Sequence, residues 1–328
     1  MFRIARESDL PQLRQIWKDI FHDTDSFINW QMNRRFVAEL CAVCEEGGRI
    51  VSCLYGYPLP LSFGEKTVDN ILVSGVATLP EYRGKGLMKR LFEFYLNHLY
   101  VLDVPLISLT PANPAYYGCI GAVSLTQSVI ISCGKVTEKT EMPFKIEKAD
   151  ISSEAERLKA CYERFASRYS GVSVRKDYFE IKMSEYMEEG CECMTAANKK
   201  GDVLGYVVYI TEGNLINCSE AVGENEAVKG LLSMFKLPFK AVLPPDFPLK
   251  NISGNIARNA YNSMGRIVSL KKFLTYFPEL RLFSKGICDD IISSNNVSFT
   301  EKLISISDFL YVANAKLNLK PRFTTDFY

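Results

Sequence analysis

The stretch VATLPEYRGKGLMKRLF, Val76 to Phe92, constrains the fold more than any other part of the chain. An apolar run ends at Pro80, Arg83-Gly84-Lys85-Gly86 follows, and Leu87, Met88, Leu91 and Phe92 then recur at helical spacing. The pattern reads as a strand, a tight turn and the mouth of a helix. The first N–H groups of a helix lack intrahelical acceptors, and the aligned peptide dipoles favour negative charge there. Glycine lets the main chain approach an anion with no Cβ in the way. A pyrophosphate suits such a turn. The spacing is neither GxxxxGK[ST] nor GxGxxG, since only Gly84 and Gly86 match.

Strand and helix signals alternate around this motif. A short strand at Phe2–Ala5 leads into a helix carrying Leu10, Leu13, Ile16, Trp17 and Ile20, and Ser26–Phe36 is a second amphipathic stretch. Leu40–Cys44 and Ile50–Tyr57, separated by Gly47-Gly48, read as a hairpin. Strands follow at Asn70–Thr78, Val104–Thr110 and Val123–Cys133. The charged stretch Lys135–Lys148 is expected to be a linker. Beyond it, helices and the strands Met194–Ala197, Val203–Ile210 and Leu215–Ser219 repeat the order of the first half, although no direct sequence repeat is visible. Pro244–Pro248 marks a loop, and a third section begins near Gly265. The fold class is α+β (mixed α/β), with helices flanking a mostly antiparallel sheet.

The chain has 328 residues and a net charge of +1, with its Lys and Arg dispersed, so no nucleic-acid partner is expected. No apolar run reaches signal-peptide or membrane-span length, so neither a leader nor a membrane partner is expected, and a cytoplasmic location follows. There are ten cysteines, but Cys41 and Cys44 form a lone CxxC, and His22 and His98 are the only histidines. With so few partner ligands we expect structural thiols and no metal.

The Val76–Tyr82 strand and proline, followed by Arg83, Gly86 and Met88, resemble the acetyl-CoA loop (Q/R)xxGx(G/A) of the GNAT acetyltransferases. Met88 departs from the small final residue, but a large residue there is similar to the Eis-type (enhanced intracellular survival) members. The segment TPANPAYYGCIGA, Thr110–Ala122, is similar to their Y-G-x-x-G segment, with Tyr117 in register. The resemblance implies tandem GNAT-like domains and a small sterol-carrier-protein-like C-terminal domain. The expected boundaries are 1–138 for the catalytic GNAT domain, 149–262 for a second GNAT-like domain without a cofactor loop, and 263–328 for a truncated third. Cys161–Glu180 and Gly201–Ile210 resemble segments of the second domain, and Met264–Leu274 would open the third.

The same resemblance implies that Val76, Ala77, Thr78, Arg83, Gly84, Lys85, Gly86, Leu87 and Asn113 bind acetyl-CoA. Tyr117 is implied as the general acid for the leaving thiolate, chemistry a phenol of pKa about 10 can perform. The C-terminal carboxylate of Tyr328 is implied as the base, its docking helped by Phe327, with Tyr116 structural. In the stretch Phe21–Phe36, Asp23, Asp25, Phe27 and Trp30, joined by Asp326, could form an acidic, aromatic cleft for a small-molecule or peptide amine. Phe27 and Trp30 could equally be core, with Asp23 and Asp25 capping a helix. His22 would sit beside this cleft, where a lone histidine reads as structural, and Cys119 lies next to Tyr117 but lacks a histidine partner in sequence reach. A ring-like homo-oligomer is also implied. The expected activity is an acetyl-CoA-dependent N-acetyltransferase; the alternative is a non-catalytic acyl-CoA-binding sensor, for which Met88 and the shortened third section speak.

Overall fold

A computed structural model describes residues 1–137, 143–176 and 178–278. In chain order its elements are β1 (Phe2–Ile4), α1 (Leu10–Phe21), α2 (Asp25–Arg34), β2 (Cys41–Glu46), β3 (Arg49–Pro58), β4 (Leu61–Phe63), β5 (Lys66–Val68), β6 (Ile71–Thr78), α3 (Leu87–Val101), β7 (Leu106–Leu109), α4 (Ala115–Gly118) and β8 (Val123–Val136). The second half adds β9 (Lys145–Ala149), α5 (Ala155–Ala166), α6 (Phe179–Glu188), β10 (Glu192–Ala197), β11 (Val203–Glu212), β12 (Leu215–Gly223), α7 (Asn225–Ser233), β13 (Phe239–Leu243), β14 (Ile252–Ile267) and α8 (Leu270–Tyr276).

Twelve strands form one sheet in the order β1-β2-β3-β6-β7-β14-β8-β13-β12-β11-β10-β9. The order has the same logic from either end. Four antiparallel strands lead to a parallel pair, β6/β7 on one side and β12/β13 on the other. The long strand after each pair then crosses over: β8 pairs with β13, β14 pairs with β7, and the two pair with each other at the centre. Each half therefore completes the other's sheet. The likeness of the two halves is carried by topology.

Alternation with period two explains the layers. Cys41, Val43, Cys53 and Tyr55 face α1 and α2, where they pack with Leu13, Ile16, Trp17 and Ile28. Ala42 and Leu54 face the opposite side and meet Leu91, Phe92, Tyr95 and Leu99 of α3. In the second half Cys193, Tyr206 and Val208 pack on α5 and α6, while Ala196 and Val207 pack on α7. Cys41 and Cys44 thus sit in separate clusters, both buried, and the nine described cysteines are free. Burial pushes the Cys41 thiol up to about 12, as expected of a structural thiol. Among the described residues no cluster of potential metal ligands occurs, and no helix is long and apolar enough to cross a membrane.

Two boundary expectations meet a different arrangement. Part of the expected linker, Lys145–Ala149, is β9, the edge strand paired to β10. The boundary expected between 262 and 263 falls inside β14, whose end pairs with β7. Residues of the Met264–Leu274 segment join Leu61, Phe63, Val68 and Leu106 of the first half in one apolar cluster. The reason is the strand exchange, which long-range pairing dictates and local pattern does not show. The remainder of the expected third domain, 279–328, lies outside the described residues.

Candidate active site

The site begins where β6 leaves β7. The two strands are in parallel register only from Ile71 opposite Ile107 to Val73 opposite Leu109. Pairing of β6 with β3 then jumps from Ser74–Tyr55 to Ala77–Cys53, a bulge at Gly75 and Val76. Gly75 has φ +57°, and a Cβ there would lie 2.5 Å from the Tyr55 ring and 2.7 Å from Trp17. Only glycine fits. The bulge turns β6 away and opens a slot between the strand ends, lined by Val73, Ser74, Gly75, Val76, Leu109, Thr110, Ala112 and Tyr117.

Beyond the slot, Pro80–Tyr82 forms a single 3-10 turn, and Gly84 and Gly86 follow with φ of +76° and +69°. A Cβ at either glycine would meet nothing within 4 Å, so the concave side of the turn is open. Gly86 caps α3, and the buried Leu87 side chain anchors the helix start beside Cys44 and Val51. Among the described residues the N–H groups of Gly84, Lys85 and Gly86 have no backbone acceptor, and those of the first helical turn have none by geometry. Arg83 Nε donates to Thr78 O at 3.0 Å, which fixes the entry to the turn. Lys85 extends over the Tyr82 ring at 4.7 Å. This arrangement fits a diphosphate with a thioester arm lying in the slot. Met88 is half-buried and packs against the apolar cluster under α3.

Tyr117 stands across the slot from β6. It is half-buried, edge-on to Phe92 at 5.9 Å, and its hydroxyl has no hydrogen-bond partner among the described residues. Burial raises its pKa, which keeps the phenol protonated at neutral pH. The segment is held from the other half of the chain: Arg266 of β14 donates through Nη1 to the Ile120 carbonyl. Burial lowers the Arg266 pKa to about 10. Tyr116 is 61% exposed, and Cys119 bonds only the Tyr116 carbonyl, so neither competes with Tyr117.

Residues 1–123 match the family model described as the acetyltransferase (GNAT) domain. The N-terminal unit is a GNAT domain. Three solved structures share the fold of the chain as a whole. A GCN5-related N-acetyltransferase from Kribbella flavida has 18% identity and TM-score 0.62 over 84% of this chain and 74% of that one. Eis1 from Mycobacterium abscessus has 16% identity and TM-score 0.61 over 84% and 75%. A tandem GNAT protein from the clavulanic acid biosynthesis pathway has 11% identity and TM-score 0.53 over 82% and 99%. A comparison with curated protein sequences gives no match. The fold of the described residues is thus a GNAT-like tandem.

Among its described residues the second unit has no counterpart to the GNAT turn. Its β12 passes into α7 through Glu224 alone. What it gives the GNAT domain is one wall of the cavity. The slot continues into a cavity of about 340 Å³ lined also by Trp17, Phe21, Asp23, Phe27, Gln31, Glu185 and Glu189. Asp23 is oriented by Trp17 Nε1, which donates to its Oδ2 at 2.7 Å. Gln31 is buried, gives Nε2 to the Tyr57 oxygen at 2.5 Å, and leaves its Oε1 without a partner. Glu185 takes both Arg35 donors at 2.9 and 2.6 Å and Lys182 Nζ at 2.8 Å. Arg35 in turn lies over the rings of Trp30, Tyr57 and Tyr178. Glu189 is exposed, but it borders this cavity and the neighbouring one. The protein around it raises its pKa, and the Glu185 carboxylate adds to the effect.

Several expected site residues sit elsewhere. Asp25 is exposed and pairs with Lys18 at 2.7 Å beside the Thr24 cap of α2, away from the cavity. Trp30 is 9% exposed and donates to Ser184 Oγ at 3.2 Å, so it joins the two units and does not wall the acceptor cleft. Asn113 is exposed and accepts from its neighbour Ala115 N, shaping its own turn. Ala77 and Leu87 have buried side chains, Thr78 Oγ1 is engaged by Ser52 Oγ at 2.8 Å, and the Ala77 and Thr78 carbonyls already accept from Ser52 Oγ at 2.8 Å and Arg83 Nε at 3.0 Å. His22 closes α1 in the left-handed conformation. Tyr328 and Asp326 lie outside the described residues. Glu185, Glu189 and Gln31 were not legible from sequence; the only trace was the density of Glu in Ser184–Glu192, which local pattern reads as a solvated helix face.

Proposed function

We propose that the protein transfers an acetyl group from acetyl-CoA to a cationic amine. The observation that supports this most is one continuous cavity, joining the β6/β7 slot and Tyr117 to three carboxylates, Asp23, Glu185 and Glu189. The amides of Gly84 to Met88 would grip the diphosphate, with Arg83 and Lys85 at its edge. Edge groups of β6 from Ser74 to Val76, which line the slot, would align the thioester arm. Asp23, Glu189, Phe27 and the free Gln31 Oε1 would hold the acceptor nitrogen.

The ammonium first gives one proton to a carboxylate. Its freed lone pair then attacks the thioester carbonyl carbon, a tetrahedral intermediate forms, and the C–S bond breaks. Tyr117 gives its phenolic proton to the departing sulfur, and the nitrogen's second proton replaces the one Tyr117 gives up. Glu189, held above the usual carboxylate range, is suited to accept the first proton, and the chain-end carboxylate of Tyr328 is the other candidate. No covalent enzyme species is needed. The test is release of free thiol from acetyl-CoA across an amine panel, with Tyr117→Phe as control. An enzyme loses turnover in this variant and keeps acetyl-CoA binding; a sensor acetylates no amine in either form, and that result would reject the proposal.

A further inference from the structure

The strand splay that makes the first cavity occurs twice. In the second unit β12 and β13 are parallel only at Ile216–Phe239 and Asn217–Lys240, and β12 then bulges between Cys218 and Glu220. The opening holds a cavity of about 400 Å³ lined by Lys182, Tyr186, Glu189, Asn217, Cys218, Ser219, Lys240, Ala241 and Val242. With Glu224 alone between β12 and α7, this slot lacks a glycine turn for a diphosphate. It is free for another ligand.

The two cavities share a wall. Glu189 lines both, Glu185 lines the first, and Lys182, bonded to Glu185 at 2.8 Å, lines the second. Charge is sorted across this partition. The first side carries Asp23, Glu185 and Glu189, while the second carries Lys182 and Lys240 with the polar Asn217 and Ser219, and shares only Glu189, at the partition, with the first. Lys240 is exposed and makes no ion pair with a described residue. A cation fits one side and an anion the other.

We infer that the acceptor is dipolar, with its reacting amine in the first cavity and a carboxylate in the second, held by Lys240. This deepens the transferase reading and rests on it. Because the ion pair and Glu189 stand between the subsites, the two ends must be several bonds apart. That describes a side-chain amine of an amino acid, or a short peptide, and excludes a simple α-amino acid.

The experiment compares ε-aminocaproate with its neutral amide, ε-aminocaproamide, by thiol release in the full-length protein and in Lys240→Met. The wild-type kcat/KM for the acid should exceed that for the amide by about fivefold, the size of one partly screened ion pair. In Lys240→Met the ratio should fall to about one, mainly through KM of the acid. Equal use of acid and amide by the wild type would overturn the inference, as would an unchanged ratio in the variant. Turnover of alkyl amines or polyamines without any preference for the acid would overturn it while leaving the transferase reading intact. Thiol release from no amine at all would remove both.

Discussion

Replacing Gly86 by alanine separates the two things this glycine does. Its φ of +69° sits in the left-handed region, where a Cβ costs about 1–2 kcal/mol, and no atom within 4 Å adds a clash. Gly47, in the β2–β3 turn, has φ +57° and is equally open, so it serves as the control. Gly47→Ala and Gly86→Ala should therefore lose similar stability, roughly 1–3 °C in melting temperature for a chain of 328 residues. Only Gly86→Ala brings a methyl group to the helix mouth that the diphosphate would occupy. Losing one hydrogen bond to a charged group costs about 1.5–3 kcal/mol, so KM for acetyl-CoA should rise at least about tenfold, with kcat less affected. The assay is steady-state thiol release beside thermal melts of both variants. If Gly86→Ala shows the acetyl-CoA KM of Gly47→Ala, the turn does not hold the cofactor and the reasoning fails.

Tyr117→Phe should lower kcat by about 100- to 10,000-fold with acetyl-CoA affinity retained, checked by calorimetric titration beside turnover. Glu189→Gln bears on the base and on stability together. Folding holds this carboxyl above its ordinary range, so it favours the protonated form. The resulting penalty is absent at acid pH and grows as pH rises through the folded value. Because Glu189 is exposed, water screens most of this penalty, so the variant should melt only slightly higher than wild type at neutral pH, with the difference vanishing below the ordinary glutamate range. If Glu189 is the base, its loss also lowers kcat more than removal of Tyr328 does; the reverse order assigns the base to the chain end. Arg35→Met leaves the buried Glu185 with the Lys182 ion pair but without its two guanidinium bonds, and should cost about 3–5 kcal/mol in denaturant unfolding.

The parts legible in the sequence are those fixed by local chemistry. The Gly84–Gly86 turn depends on neighbouring residues alone, and the helix spacing of Leu87, Leu91 and Phe92 matches the face that α3 buries. The hairpin over Gly47-Gly48 was readable for the same reason. The strand exchange was not. Whether β8 pairs with its own half or with β13 leaves the same alternation in its sequence. The acceptor wall was hidden likewise, because Glu185 and Glu189 meet Asp23 only after α6 packs on α2. Trp30 and Asp25 show the converse limit. An aromatic and an acid on an amphipathic helix suit a cavity, a domain interface or a surface ion pair, and the neighbours decide which: Ser184 of α6 for Trp30, Lys18 of α1 for Asp25.

The most direct test of the account is the number of acetyl-CoA molecules bound per chain, counted by native mass spectrometry. A glycine turn in the first unit and none in the second predict one, weakened in Gly86→Ala. Two bound molecules, or one that Gly86→Ala leaves unchanged, would contradict the assignment of the site.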